Sequence, residues 1–113
     1  MHEMSLAEGI VRILEEQAMV QDFTRVQLVR LEIGELSQVD QEALSFSFSA
    51  CILDTIAEGT RLEIVTVPGT AWCMKCGGPV TIHSREEACP DCGSYQLQVT
   101  GGDEMRVLEL EVE

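Results

Sequence analysis

The chain has 113 residues, enough for one ordinary domain or two small lobes on a shared backbone and too few for separate substrate and cofactor domains. Seven Lys and Arg against twenty Asp and Glu leave a formal charge of -13, a surface that repels phosphate backbones and anionic headgroups, so neither nucleic acid nor a membrane is expected as a partner. No apolar run approaches the roughly 20 residues of a membrane span, and the start Met1-His2-Glu3-Met4-Ser5 lacks the basic region of a signal peptide, which points to the cytoplasm.

Leu6, Ile10, Ile13, Leu14 and Ala18 recur at three- and four-residue steps and predict an amphipathic helix over about 5–20. Residues 25–33 are rich in Val, Leu and Ile, set Arg30 and Glu32 between apolar neighbours and stop at Gly34, which reads as a strand. Ser37 and Asp40 have the spacing of a capping box, and Leu44, Phe48, Cys51 and Ile52 then trace a second helix over about 38–53, with Cys51 expected as a buried small apolar residue. A strand follows at 62–67, ended by Pro68 and Gly69, and the last begins near Met105, where Leu108, Leu110 and Val112 alternate with glutamates. All three strands change apolar phase midway, which implies either bulges or middles covered on both faces.

Between the last two of these strands lies a segment of different composition, rich in cysteine, glycine and proline. The expected fold class is therefore α+β: a small mixed sheet of about three strands with two helices over 1–69 and 102–113, plus an inserted zinc-ribbon lobe over 70–101. Cys73-Met74-Lys75-Cys76 and Cys89-Pro90-Asp91-Cys92 are two C-x-x-C units with twelve residues between them, each followed by a glycine that tolerates positive φ. Each pair can bring two thiolates to one ion, and two facing pairs complete a tetrahedral sulfur shell, so Cys73, Cys76, Cys89 and Cys92 are expected to hold a structural Zn(II). Four sulfurs leave no coordination position for water, which argues against catalysis there. A rubredoxin-like iron carrier uses the same sulfur set. Lys75 and Arg85 are outnumbered by Glu86, Glu87 and Asp91, against nucleic-acid binding by this lobe. His83, between the pairs, reads as a solvated side chain rather than a ligand.

His2 is the other residue of interest. Initiator methionine is normally removed only before small residues, so a histidine here keeps Met1 and its amine one residue from an imidazole. The amine, the intervening backbone amide and the imidazole can enclose a square-planar ion such as Ni(II) or Cu(II), with a fourth donor from Glu3 or elsewhere.

The opening Met1-His2-Glu3-Met4-Ser5-Leu6, the cysteine pattern at 73–92 and the closing Gly102-Asp103-Glu104-Met105-Arg106-Val107-Leu108 together resemble the HypA/HybF family of hydrogenase maturation factors over nearly the whole chain. Ala71-Trp72-Cys73 and Ile82-His83 resemble the HybF branch in particular. The resemblance implies a nickel metallochaperone, not an enzyme, that delivers Ni(II) to the large subunit of nickel-iron hydrogenase with a GTPase partner, HypB. It implies nickel at His2, assisted by Met1 and Glu3, zinc at the four cysteines, and a partner contact at Asp40, a residue that equally suits a helix cap. A monomer or weak homodimer is expected. Transfer by ligand exchange suits an exposed chain end with few protein donors, and copper would outcompete nickel there on affinity alone. The competing reading is a zinc-ribbon adaptor between proteins with no transferable metal. No nucleophile elbow, paired general acid and base, or phosphate-binding glycine loop is present.

Overall fold

The computed structural model describes residues His2–Glu113. In chain order they form α1 (Glu3–Gln21), β1 (Val26–Gly34), a 3-10 turn (Glu35–Ser37), α2 (Gln41–Cys51), β2 (Arg61–Val67), β3 (Gly69–Cys73), β4 (Gly78–Ile82), β5 (Leu97–Gly101) and β6 (Met105–Val112). The strands make two three-stranded sheets, ordered β2-β1-β6 and β4-β3-β5. The chain divides into two compact units. The first gathers the residues up to Leu31, Val39–Ile64 and Val107–Glu113; the second gathers Glu32–Gln38 and Val65–Arg106. The 70–101 segment lies within the second unit, which also takes in the 3-10 turn.

In the first unit α1 buries Ala7, Ile10, Val11 and Leu14. Ile13, expected on that stripe, is 43 % exposed, because the buried arc is centred one position earlier and takes Val11 instead. The helix ends at Asp22, whose left-handed conformation (φ 59°) lets its N–H reach the Ala18 carbonyl. Asp40 caps α2: its carboxylate accepts the Ala43 N–H at 3.1 Å. Ser37 takes no part in that cap, since its hydroxyl donates to the Gly34 carbonyl at 2.7 Å and closes the 3-10 turn. The capping-box spacing therefore marks the right helix but only one of its two residues, and α2 starts at Gln41 rather than 38.

β1 is the central strand of its sheet, and Leu28 and Val29, which point to opposite faces, are both at most 2 % exposed. The phase change in this strand therefore reflects cover on both faces. Thr24 and Arg25 exchange backbone hydrogen bonds with Glu113 at 2.9 Å, so the end of β6 lies beside the start of β1. Arg30 donates from two nitrogens to Glu63 at 3.1 and 2.9 Å and also pairs with Glu109, which neutralises the one cation set into this strand's middle.

In the second unit β3 pairs antiparallel with both β4 and β5. One face of that sheet, with Ala71, Cys73, Val80 and Ile82, closes a small core completed by Leu36 and Cys89. Glycine is required where the backbone crosses itself. A Cβ on Gly34 would lie 2.1 Å from the Gly102 carbonyl oxygen, and one on Gly102, whose φ is +74°, would lie 2.4 Å from that of Pro68. The approach lets Gly34 N–H reach Glu104 and Leu36 N–H reach Gly102 at 2.9 and 2.8 Å. No helix among the described residues is long and apolar enough to cross a membrane.

Candidate metal centre

The sequence makes two matching knuckles. Cys73 closes β3, and a tight turn carries the chain back so that the Gly77 N–H bonds the Cys73 carbonyl at 2.8 Å. The second knuckle repeats this, with the Gly93 N–H on the Cys89 carbonyl at 2.9 Å. Both glycines have positive φ, 70° and 78°, as the turn requires. The four sulfurs converge within 4.8 Å of one another, with Cys73 to Cys92 at 3.7 Å and Cys76 to Cys89 at 3.9 Å.

These distances discriminate between chemistries. A disulfide needs about 2.05 Å between sulfurs, so neither pair is bonded, and all five cysteines are free thiols. A tetrahedron with metal-sulfur bonds of about 2.3 Å has an edge of about 3.8 Å, which is the spacing found. The residues fit a four-coordinate thiophilic ion. Cys73 and Cys89 are buried while Cys76 and Cys92 are exposed, so the site is half sheathed by the ribbon core.

Without a cation the thiols ionise at one another's expense. The Cys76 backbone N–H donates to the Cys73 sulfur at 3.3 Å, and with the neighbouring Cys92 thiol it brings the Cys73 pKa down to about 7. Cys76 moves the other way, up to about 12, because its protonated form donates to the Cys92 and Cys73 sulfurs. A divalent ion at the centre removes that conflict by giving every thiolate a shared positive partner.

His2 occupies the N-cap position of α1, exposed, with its Nδ1 3.7 Å from a Glu3 carboxylate oxygen. That carboxylate accepts the Asp40 backbone N–H at 3.3 Å, which holds the Glu3 carboxyl below the usual range and ties the first turn of α1 to the start of α2. Among the expected nickel residues, His2 and Glu3 are thus adjacent, and Asp40 meets Glu3 through its backbone while its side chain caps α2. Met1 lies outside the described residues.

Two further residues differ in detail from expectation. Cys51 is half-buried, its Sγ 3.4 Å from the Met4 sulfur, and burial followed by the charge of Glu8 pushes its thiol up. His83 is exposed as expected and stands apart from the sulfur cluster, but it is partnered: its Nδ1 lies 3.0 Å from Glu35, which raises its pKa. Neither Glu35 nor Met4 stands out in the sequence, because each meets its partner across more than forty residues.

The family model described as "Hydrogenase/urease nickel incorporation, metallochaperone, hypA" matches residues 1–112. This chain belongs to the HypA family. It is 60 % identical over 113 residues to the hydrogenase maturation factor HypA of Azotobacter vinelandii and 61 % to that of Azotobacter chroococcum mcd 1, each covered completely. Among solved structures it is similar to the nickel metallochaperone HypA of Helicobacter pylori, with a TM-score of 0.71 and 26 % identity over 99 % of this chain and 97 % of that one. A second solution structure of a HypA protein gives a TM-score of 0.74 at 26 % identity, over 100 % of this chain and 97 % of that one. The HypA-family chain is accordingly a metallochaperone of hydrogenase maturation and not an enzyme.

Proposed function

We propose that this HypA-family chain carries Ni(II) on its amino-terminal end and keeps Zn(II) at Cys73, Cys76, Cys89 and Cys92 as a structural ion. One observation carries the division of labour. The sulfur set is complete, with four donors at tetrahedral spacing, whereas His2 is exposed beside a single carboxylate. An ion enclosed by four thiolates exchanges slowly and supports a lobe with few core residues. An ion at a chain end is open to an incoming ligand, as delivery requires.

Nickel is the cargo. The Met1 amine, the following amide nitrogen and the His2 imidazole are the donor types that suit a square-planar ion, and Glu3 lies beside the imidazole. Glu3 is held by the Asp40 N–H, so Asp40 positions the carboxylate as well as capping α2. The recipient is the large subunit of nickel-iron hydrogenase, the helper is the GTPase HypB, and the setting is the cytoplasm. These assignments rest on the family and on the charge of -13, which suits a basic docking surface.

The reading is tested by metal analysis of native protein and His2→Ala after nickel loading and gel filtration. About one zinc in both proteins, with nickel retained only by the native one, supports it. Zinc alone in both would instead support a ribbon adaptor.

A further inference from the structure

β4 is an outer strand of the ribbon sheet, and the pairing register sets which of its backbone groups face the free edge. Just past β3 the Met74 N–H bonds the Gln96 carbonyl at 2.9 Å, in step with the pairs Cys73–Leu97 and Trp72–Gln98. Hydrogen-bonded pairs alternate along an antiparallel ladder, so Trp72 turns its backbone groups toward β5, while Ala71 and Cys73 turn theirs toward Val80 and Gly78 of β4. Pro79 and Thr81 therefore point their own backbone groups away from β3, to the free edge. Pro79 brings a carbonyl and no N–H there, and Thr81 brings both. The next N–H on that side, of His83, is already taken by the Glu87 carboxylate at 3.1 Å. Among the described residues nothing takes the Thr81 groups. Beside them an open groove of about 600 Å³ runs over Pro79, Val80 and Thr81 to Pro90 and Asp91 of the second knuckle.

We infer that an extended, basic segment of a partner protein lies in this groove as a fourth strand of the ribbon sheet, paired with β4. A free sheet edge recognises extended backbone, and its flanking groups select the sequence. Here they select a basic one. The edge carbonyls outnumber the edge N–H groups, so a segment with surplus donors is favoured, and the carboxylates of Asp91 and Glu87 flank the same edge. Arg85, the nearest cation in sequence, is engaged with the Leu36 carbonyl at 3.3 Å. A second copy fits poorly. Two β4 strands joined about a two-fold axis at Thr81 would set each Pro79 opposite residue 83 of the other chain. Pro79 has no N–H and the His83 N–H is held by Glu87, so the ladder would stop at Thr81, and each Glu87 would face the groove wall that Asp91 lines. The inference rests on the ribbon fold and not on the nickel reading.

The test is amide exchange by NMR on the zinc-loaded, isotope-labelled full chain at about 0.15 M salt, with the peptide acetyl-Lys-Val-Lys-Val-Lys-amide as probe at up to about 1 mM. The Thr81 N–H is the reporter, because it exchanges freely at an open edge and gains protection only when a strand pairs there. The peptide should slow Thr81 exchange about tenfold and shift the Thr81 and Asp91 resonances, with Met74, bonded to Gln96 on the far side of β3, unchanged. A copy with Glu in place of every Lys, and a copy N-methylated at every residue, should each bind about tenfold more weakly or worse. Thr81→Pro deletes only the outward N–H of an edge strand and should abolish binding with zinc content unchanged. Absence of Thr81 protection would overturn the inference. Equal binding of the N-methylated copy would do the same, since charge alone would then attract the peptide, and so would equal binding of the Glu copy. Thr81 protection that rises with protein concentration without peptide would also overturn it, by placing a second copy on the edge. If Thr81→Pro loses zinc, the N-methylated copy decides alone.

Discussion

The four-cysteine knuckles and the amino-terminal end are built on opposite rules. The knuckles repeat one turn twice, each closed by a glycine N–H on a cysteine carbonyl, and bring four sulfurs within 4.8 Å of one another. The amino-terminal end places one exposed imidazole at the start of a helix, with one neighbouring carboxylate held from α2. Enclosure keeps an ion, and openness lets one pass. A single small protein can therefore hold two metals with different lifetimes, provided the donor sets differ in number and softness.

The comparison can be broken most forcefully at the knuckles. Cys89→Ser removes a buried ligand from a core of only a few residues, so zinc content should fall from about one per chain to near zero. Ribbon amides such as Met74, bonded to Gln96, should lose exchange protection. Retained zinc with retained protection would show that three sulfurs suffice. Gly102→Ala comes next, since it adds a Cβ at positive φ and within 2.4 Å of the Pro68 carbonyl oxygen. Thermal unfolding should report a loss of about 2 kcal/mol.

Asp40 sharpens the comparison at the other end. Asp40→Ala should cost about 1 kcal/mol by removing the cap from Ala43 N–H, while Asp40→Asn keeps most of that stability. The Asn variant should also keep nickel binding, because Glu3 is held by the backbone N–H of residue 40. Stable Asp40→Asn protein with weakened nickel binding would assign the carboxylate a direct role.

The smallest effect belongs to His83. Glu35 raises its pKa above the ordinary 6.5, so this pair's contribution is fully present below pH 6.5 and is lost as pH rises through the raised value. NMR titration should show the His83 midpoint returning toward 6.5 in Glu35→Gln, with zinc unaffected.

Much of this was legible because it is local. The two helices and the strands β1, β2 and β6 announce themselves through periodicity, and the sulfur cluster through the spacing of two C-x-x-C units. Contacts between residues remote in sequence were not. Leu36 completes the ribbon core from outside the cysteine-rich segment, and Glu35 meets His83 across 48 positions, so neither bears a local signature. Ile13 and Val11 are equally apolar, and only packing decides that Val11 is buried. The short strands β3 to β5 escape periodicity because each is only five residues long, too few for an alternation to stand out, and β3 fills its inward positions with Gly69, Ala71 and Cys73.

The central claim, that cargo nickel sits on the amino-terminal end and not among the thiolates, is tested most directly by calorimetric nickel titration of zinc-loaded protein. The native chain is compared with one extended by Gly-Ser ahead of Met1, which keeps His2 and the four cysteines but moves the amine out of chelating distance. The account predicts about one nickel bound by the native chain and much weaker binding by the extended one. Equal binding by both, or none by either, would contradict it.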